Sequence, residues 1–283
     1  DVMLSYGAQS EFAEDKARNI EFADIRQSPS LLNWQTAPNN SLNFGYSHSY
    51  YWLHTRFLNR DTLALERLLD YLNIYIVNEQ GELQSFAMGD KLPFSARPIN
   101  HHYFVVPINF PAGATLDVYM QVKTGSSVQF PVTLWDKQKL LEEDHQQLLG
   151  MGIYYGTMLI MVLYNFILFL STRDIKYFYY VCYVACMAMF LASISGLCFQ
   201  YLWPKATWWN DVAIVMGLSG VIFFAMRFTH DFLLLKETRP NYARICIYLS
   251  NAGLVTAAGA LVLDYHPAIL STIITAVICI FFA

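Results

Sequence analysis

The stretch Asp136-Lys-Gln-Lys-Leu-Leu-Glu-Glu-Asp-His-Gln-Gln-Leu-Leu149, running almost directly into the apolar segment Met151–Leu170, decides how this chain is built. The first part lacks Gly and Pro and is rich in helix formers. The second carries no charge and has about the 20 residues that a helix needs to cross a ~30 Å hydrocarbon core. Together they read as one rigid helix that leaves water and enters a bilayer. The charge distribution outward from this point fits that reading. Residues 1–149 carry 11 basic and 17 acidic side chains, a net of −6, whereas residues 150–283 carry 7 and 5, a net of +2, with all five cysteines. The overall charged fraction is only 14%, against about 25% in soluble domains.

This division excludes a soluble cytosolic enzyme, a disordered scaffold and a secreted disulfide framework. Nucleic acid is excluded as a partner, because no basic face exists to neutralise phosphates. Four more apolar segments follow the first, at Tyr177–Phe199, Asp211–Phe228, Ile245–Leu263 and Ala268–Ala283. The lipid bilayer is therefore an obligate partner. The fifth segment reaches the last residue with no polar anchor, so the chain reads as a fragment.

Loop charges set the orientation. Arg173, Lys176, Arg227, Lys236, Arg239 and Arg244 fall in the first and third loops, and only Lys205 in the second and fourth. Six against one is a strong positive-inside bias that puts the first loop in the cytoplasm and the N-terminal half outside. The second loop, Gln200-Tyr-Leu-Trp-Pro-Lys-Ala-Thr-Trp-Trp-Asn210, suits the outer side, because Trp and Tyr collect at interfaces. Export requires a targeting signal that Asp1 does not begin, so a signal peptide is expected to have been removed or trimmed. Cys182 and Cys186 are one helical turn apart; small apolar residues packing between helices is preferred to a metal pair, since no His or carboxylate stands at ligand spacing.

The N-terminal half reads as strands. Leu116, Val118, Met120 and Val122 alternate with Asp117, Tyr119, Gln121 and Lys123. Tyr51, Leu53 and Phe57 share one face of the run 50–59, with Trp52, His54 and Arg56 on the other. Phe104, Val106 and Ile108 alternate likewise, as do Phe130, Val132 and Leu134. Asn78-Glu-Gln-Gly81 is a turn between 73–77 and 82–88, and Pro111-Ala-Gly113 separates two more strands. Many short strands with turns between them, and no helix of comparable strength, indicate an antiparallel sandwich.

Enzyme motifs are absent: no Gly-rich phosphate loop, no His-Glu-x-x-His, no Gly-x-Ser-x-Gly. His101-His102 is the one adjacent His pair. On a strand the two side chains point to opposite faces, so no shared metal is expected and an edge or loop position is preferred. No catalytic residue, metal or cofactor is assigned. In the first span, Asn165 is costly in lipid unless paired and is expected to face another helix. Few ionisable residues lie deep in any span, which argues against a pump or ion-coupled transporter.

Gly152-Ile-Tyr-Tyr-Gly-Thr-Met158, Leu163-Tyr-Asn-Phe166, Ser171-Thr-Arg-Asp174, Tyr177-Phe-Tyr-Tyr180, Gly196, Tyr201-Leu-Trp-Pro204 and Arg227-Phe-Thr-His-Asp-Phe-Leu233 together resemble one bacterial family. These are the seven-transmembrane receptors with diverse intracellular signalling modules, whose membrane motif would fall on Tyr164, Asn165, Arg173, Asp174, Tyr177, Tyr180, Gly196 and Pro204. The N-terminal half is similar to the type-2 extracellular domain of that family, through Tyr51-Trp52, Phe57-Leu-Asn59, Gly89-Asp90, Pro93-Phe94, Arg97 and Phe130-Pro-Val-Thr-Leu-Trp135. The chain departs from the family in showing about five of seven spans and no output module.

The resemblance implies an all-β jelly-roll-like sandwich similar to carbohydrate-binding modules at 1–136, a helical linker at 137–149, and at 150–283 the first five or so helices of a polytopic α-helical membrane bundle. It implies a multi-pass receptor of the bacterial inner membrane with a periplasmic sensor domain. A carbohydrate or envelope-derived ligand would signal to a missing cytoplasmic diguanylate cyclase or histidine kinase, with a second copy of the chain as the expected partner in a homodimer. Sugar sites stack aromatic side chains on pyranose faces beside polar groups, so Tyr50, Trp52, His54 and Arg56 on one strand face are the candidate platform, with His102 and Tyr103 as further candidates. Packing of those aromatics into a core is the competing reading. A protein-docking module and a transporter or envelope enzyme are the alternative functions.

Overall fold

The computed structural model describes residues 4–5, 10–36, 42–46, 49–58, 62–65, 70–108, 110–111, 113–123, 127–130, 132–135 and 137–282. Of the positions singled out above, Asn59, Ala112, Pro131, Asp136 and Ala283 lie outside the described residues, as do the side chains of Phe57, Phe130, Val132 and Leu134. The chain divides into two compact units, one of residues 1–144 and 199–207, the other of residues 145–198 and 208–283.

Among the described residues the first unit has twelve strands: β1 (Leu4–Ser5), β2 (Glu11–Asp15), β3 (Gln35–Thr36), β4 (Leu42–Tyr46), β5 (Tyr50–Leu58), β6 (Thr62–Leu65), β7 (Tyr71–Asn78), β8 (Leu83–Met88), β9 (Phe104–Pro107), β10 (Thr115–Lys123), β11 (Ser127–Phe130) and β12 (Val132–Trp135). They form an antiparallel six-stranded sheet in the order β3-β2-β5-β10-β7-β8, a four-stranded sheet β1-β12-β6-β9 and a β11-β4 pair. The period of two becomes burial directly. Leu116, Val118, Met120 and Val122 of β10 meet Leu72, Ile74 and Ile76 of β7 and Tyr51 and Leu53 of β5, and Phe104 and Val106 of β9 close this core from the other sheet. The turn after β7 forms as its residues predict. Gly81 N–H donates to Asn78 O, the Asn78 side chain accepts from Glu82 N–H, and Gly81 takes a φ of 80°.

A short helix, α1 (Phe22–Gln27), interrupts the strands between β2 and β3. Buried Asp15 starts the excursion by accepting from the N–H groups of Arg18 and Ile20. Arg26 then ties the helix to the β7–β8 turn by donating to Gly81 O. Six residues are too few to show helical periodicity, which is why this helix was not expected from sequence. Its consequence is large: Phe22, Ile25 and Leu32 bury Trp52 on the second face of the six-stranded sheet.

The remaining helices are α2 (Lys137–Thr172), α3 (Ile175–Ile194), α4 (Leu197–Tyr201), α5 (Thr207–Phe232), α6 (Leu235–Thr238), α7 (Pro240–Val262) and α8 (Tyr265–Phe282). Five of them, α2, α3, α5, α7 and α8, are long and apolar enough to cross a membrane. The run 137–149 forms the first turns of α2, which continues unbroken for 36 residues. The second apolar segment, read as continuous to Phe199, breaks after Ile194, where Gly196 takes a φ of 78° before α4.

In the second unit α5 is the most buried helix, and small residues let its neighbours approach. A Cβ on Gly217 would stand 3.1 Å from the Phe190 Cα of α3, and one on Gly253 of α7 would stand 3.1 Å from Ser219 O. Ser219 and Thr256 share a buried hydrogen bond of 2.9 Å between α5 and α7. Arg227 donates to Ser250 Oγ at 3.1 Å.

Candidate functional site

Two polar clusters stand out in the first unit. The first lies on the second face of the six-stranded sheet, where α1 stops covering it. Register places Glu11, His54, Tyr119 and Tyr75 side by side across β2, β5, β10 and β7, with Arg56 opposite Asp117 one pleat further along. Arg56 makes a bidentate pair with Asp117, from Nε at 2.8 Å and from a terminal nitrogen at 2.9 Å. His54 Nε2 lies 3.0 Å from the same carboxylate, and His54 Nδ1 lies 3.6 Å from Glu11. The imidazole stacks on Tyr119 with ring centroids 4.4 Å apart, and Trp34 meets both rings edge-on.

The electrostatics of this row are those of a pre-paired site. Burial of Asp117 works to raise its pKa, but hydrogen bonds from Arg56 and His54 outweigh it and hold the carboxyl below its ordinary value. The hydrogen bond to Asp117 raises the Arg56 guanidinium in turn. Burial pushes the Tyr119 phenol up, so it remains an O–H donor at neutral pH.

Of the residues expected from sequence, Tyr50, Trp52, His54 and Arg56 do share one strand, but they do not form one exposed platform. Trp52 is 0% exposed. It packs among Ala13, Phe22, Ile25 and Leu32 and cannot stack on a ligand, which corrects that expectation. Tyr50 lies near the end of its strand under the Lys123 ammonium, 5.1 Å from its ring. His54 and Arg56 stay accessible, and the structure adds Trp34, Asp117, Tyr119 and Glu11 around them. Asp117 and Tyr119 were visible in sequence as the polar face of their strand. What was missing was the pairing of β5 with β10, which no local pattern encodes.

The second cluster surrounds Arg97, whose side chain is almost fully buried. It donates to Asp90 at 2.9 Å, to His101 O at 3.0 Å and to His102 O at 2.7 Å. Its guanidinium carbon lies over the Phe94 and Phe104 rings at 4.4 and 4.3 Å. Burial lowers the Arg97 pKa, while Asp90 acts in the opposite direction. Gly89 permits the local chain path: at a φ of 148°, a Cβ there would lie 2.2 Å from Asp70 O. The segment 199–207 packs onto the same cluster, with Phe94 N–H donating to Pro204 O and Gln200 donating to Asn100.

His102 and Tyr103 belong to this second cluster rather than to the His54 row. Residues 101–103 are bends, not strand. The alternation assumed for His101-His102 is therefore absent, and the two rings stack 4.4 Å apart on one side. That overturns the expectation of opposite faces, and with it the ground for dismissing a shared ligand. His101 Nδ1 accepts from Tyr103 N–H at 2.9 Å, so its Nε2 carries the proton and donates to Asp144 of α2 at 2.8 Å.

The motif positions in the helical unit act mainly on chain geometry. Arg173, at a φ of 56°, ends α2, and Asp174 caps α3 by accepting from Lys176 N–H. Tyr177 N–H donates back to Asp174 O. Tyr180 packs against Phe228 and donates to Met161 Sδ, while Tyr164 is largely exposed. Asn165 was expected to pair with another helix; its amide instead donates to Met161 O, one turn earlier on α2.

Residues 7–136 match the family described as 7TMR-DISM extracellular 2, and residues 147–283 match the one described as 7TM diverse intracellular signalling. No curated protein matches the chain significantly. The two matches follow one another in the order of the two halves and leave only residues 1–6 and 137–146 uncovered, so the chain belongs to the seven-transmembrane receptors with diverse intracellular signalling modules.

Proposed function

We propose that this chain is the sensory and membrane-spanning part of a bacterial inner-membrane signal-transduction receptor, whose β domain is a periplasmic jelly-roll module that binds a carbohydrate or envelope fragment. The observation that carries this reading is the half-open row of Trp34, His54, Tyr119, Arg56 and Asp117. Aromatic faces there can stack on a pyranose ring. The Arg56–Asp117 pair offers donors and acceptors already fixed in place, so little side-chain order remains to be imposed on binding. The loop charges support a periplasmic location, and the compact unit that contains both the β domain and residues 199–207 agrees with an outer position for that loop.

Signalling requires the ligand to prefer one of two receptor states, because equal affinity for both shifts nothing. The unbroken α2, which runs from Lys137 into the first apolar span, is the element that would transmit such a preference to an output domain such as a diguanylate cyclase or histidine kinase. Two copies of the chain would act together. The test is thermal shift of the detergent-solubilised chain against oligosaccharides, peptidoglycan fragments and lipopolysaccharide fragments. At 100 times its dissociation constant a true ligand stabilises the protein by about 2.7 kcal/mol. Arg56→Ala should abolish that shift while leaving the unliganded midpoint nearly unchanged. A panel with no shift would favour a protein partner on this face.

A further inference from the structure

We infer that His101, His102 and Asp144 form a binding site for one divalent transition-metal ion of the zinc class. Their ligand atoms all lie within 4.8 Å of one another. Ligands on a common zinc ion stand roughly 3.3 Å apart at Zn–N and Zn–O distances of about 2.0–2.1 Å, so modest side-chain rotation closes the site. This inference is independent of the ligand reading of the His54 row and stands or falls separately.

The second observation is His102 itself. It is only 7% exposed, and its Nε2 has no hydrogen-bond partner among the described residues. A buried polar atom without a partner is costly and rare in folded proteins. Within the described residues nothing satisfies this nitrogen, and a bound ion would. Neutral imidazole nitrogen is a preferred donor to zinc, nickel and copper. Two imidazoles and one carboxylate leave a fourth position for water or for another ligand, the donor number of an open zinc site.

The surroundings supply the support that such a site needs. Arg97 fixes the backbone of both histidines through their carbonyl oxygens, and is itself held by Asp90. Residues that orient ligands in this way set metal affinity along with the ligands themselves. A magnesium- or calcium-type ion fits poorly, since both prefer all-oxygen shells.

Metal binding would also change the local structure. Without the ion, the His101 Nε2 proton is donated to Asp144, and Nδ1 accepts from Tyr103 N–H. When Nε2 binds the ion, its proton moves to Nδ1, and the contact with Tyr103 N–H must open. The ion would then hold Asp144 of α2 to the segment that leads into β9, in place of a single shared proton. Occupancy of the site would thus bias the first turns of the helix that continues into the first span.

The experiment uses the full chain in detergent, stripped with a chelator and titrated with zinc chloride, with magnesium and calcium chloride as controls. Bound metal is read by equilibrium dialysis and by the visible spectrum of a Co(II) substitution. One equivalent of zinc is expected, with Co(II) bands of low coordination number, and no uptake of magnesium or calcium. His102→Ala and Asp144→Asn should each weaken zinc binding by at least tenfold. Asp144→Asn retains an acceptor for the His101 proton and so guards against a variant that merely unfolds. Absence of zinc uptake, or uptake undiminished in both variants, overturns the site. The second result would include metal held by the cysteines of the helical unit.

Discussion

The two units of this protein both bury aliphatic side chains, but they differ in the small polar residues they enclose and in what they turn outward. In the β unit the least exposed side chains are large and apolar: Trp52, Leu53, Leu72, Ile74, Ile76 and Phe104. In the helical unit Ser193, Asn210, Ser219, Ser250 and Thr272 are buried, while Ile160, Ile167, Tyr248 and Phe281 are exposed. Water drives large apolar groups inward in the first case. In the second, hydrocarbon is as apolar as Leu, so burial of Leu gains little and helices meet where small residues allow backbones to approach. The same chain thus uses two packing rules, and the lesson is that burial identifies a core only once the solvent is known.

The largest expected effect tests how far the β unit tolerates charge inside. Arg97→Met removes the cation from a buried pair and takes from Asp90 its 2.9 Å hydrogen bond, which should destabilise the β unit by about 3–5 kcal/mol. Pulse proteolysis in urea on the solubilised chain measures it. The double change Arg97→Met with Asp90→Leu should recover part of the loss, because both buried charges of the pair are then gone. A single variant as stable as the parent would mean the pair is not buried as described.

The comparison itself can be broken by one matched pair of truncations. Trp52→Ala empties a site packed by Phe22, Ile25 and Leu32, and should cost about 3–5 kcal/mol. Ile160→Ala on α2, where the side chain is 68% exposed, should leave stability in detergent within about 0.5 kcal/mol. Equal losses at the two positions would refute the idea that α2 turns this face to lipid.

The sequence made the two units legible because each solvent leaves a simple pattern. Period-two alternation in β10 became the core face of the sandwich, and uncharged runs of about 20 residues became helices long enough to cross a membrane. The candidate site was only half legible. His54 and Arg56 could be placed together because they share a strand. Asp117 and Tyr119 join them only through the pairing of β5 with β10, 63 residues apart in the case of His54 and Asp117. Trp52 was misread because six residues of α1 carry too little pattern to announce that they cover a sheet face. For His101 and His102 the preferred loop position holds, but the argument that they face opposite ways applied strand alternation to a bend, where it does not operate.

Smaller effects probe the packing of the helical unit. Gly253→Val places a branched side chain against Ser219 O and Phe223 N, and should cost about 1–3 kcal/mol by overpacking. Ser219→Ala removes the hydrogen bond to Thr256 and should cost only about 0.6 kcal/mol, the average for such bonds between membrane helices. Thermal inactivation in lipid nanodiscs ranks the two. A larger loss from Ser219→Ala than from Gly253→Val would mean that polar bonds, rather than close approach, hold α5 to α7.

The smallest effect concerns the Arg56–Asp117 pair and depends on pH. The folded Asp117 carboxyl titrates below its ordinary value, so the unfolded chain takes up that proton first as the solution is acidified. The stabilisation is therefore fully present above the unfolded value of about 3.9, and is lost as pH falls through the lower folded value. Because Arg56 is exposed, solvent and salt screen the pair and its worth is under about 1 kcal/mol. The stability difference between the parent and Arg56→Ala should accordingly be small at neutral pH and shrink further below about pH 4. His54 contacts the same carboxylate and Glu11 contacts His54, so the comparison needs His54→Gln and Glu11→Gln as controls. A difference that stays constant from neutral to acid pH would show that Arg56 contributes by packing its stem on the sheet, and that the charge pair at the centre of the candidate site adds nothing to the fold.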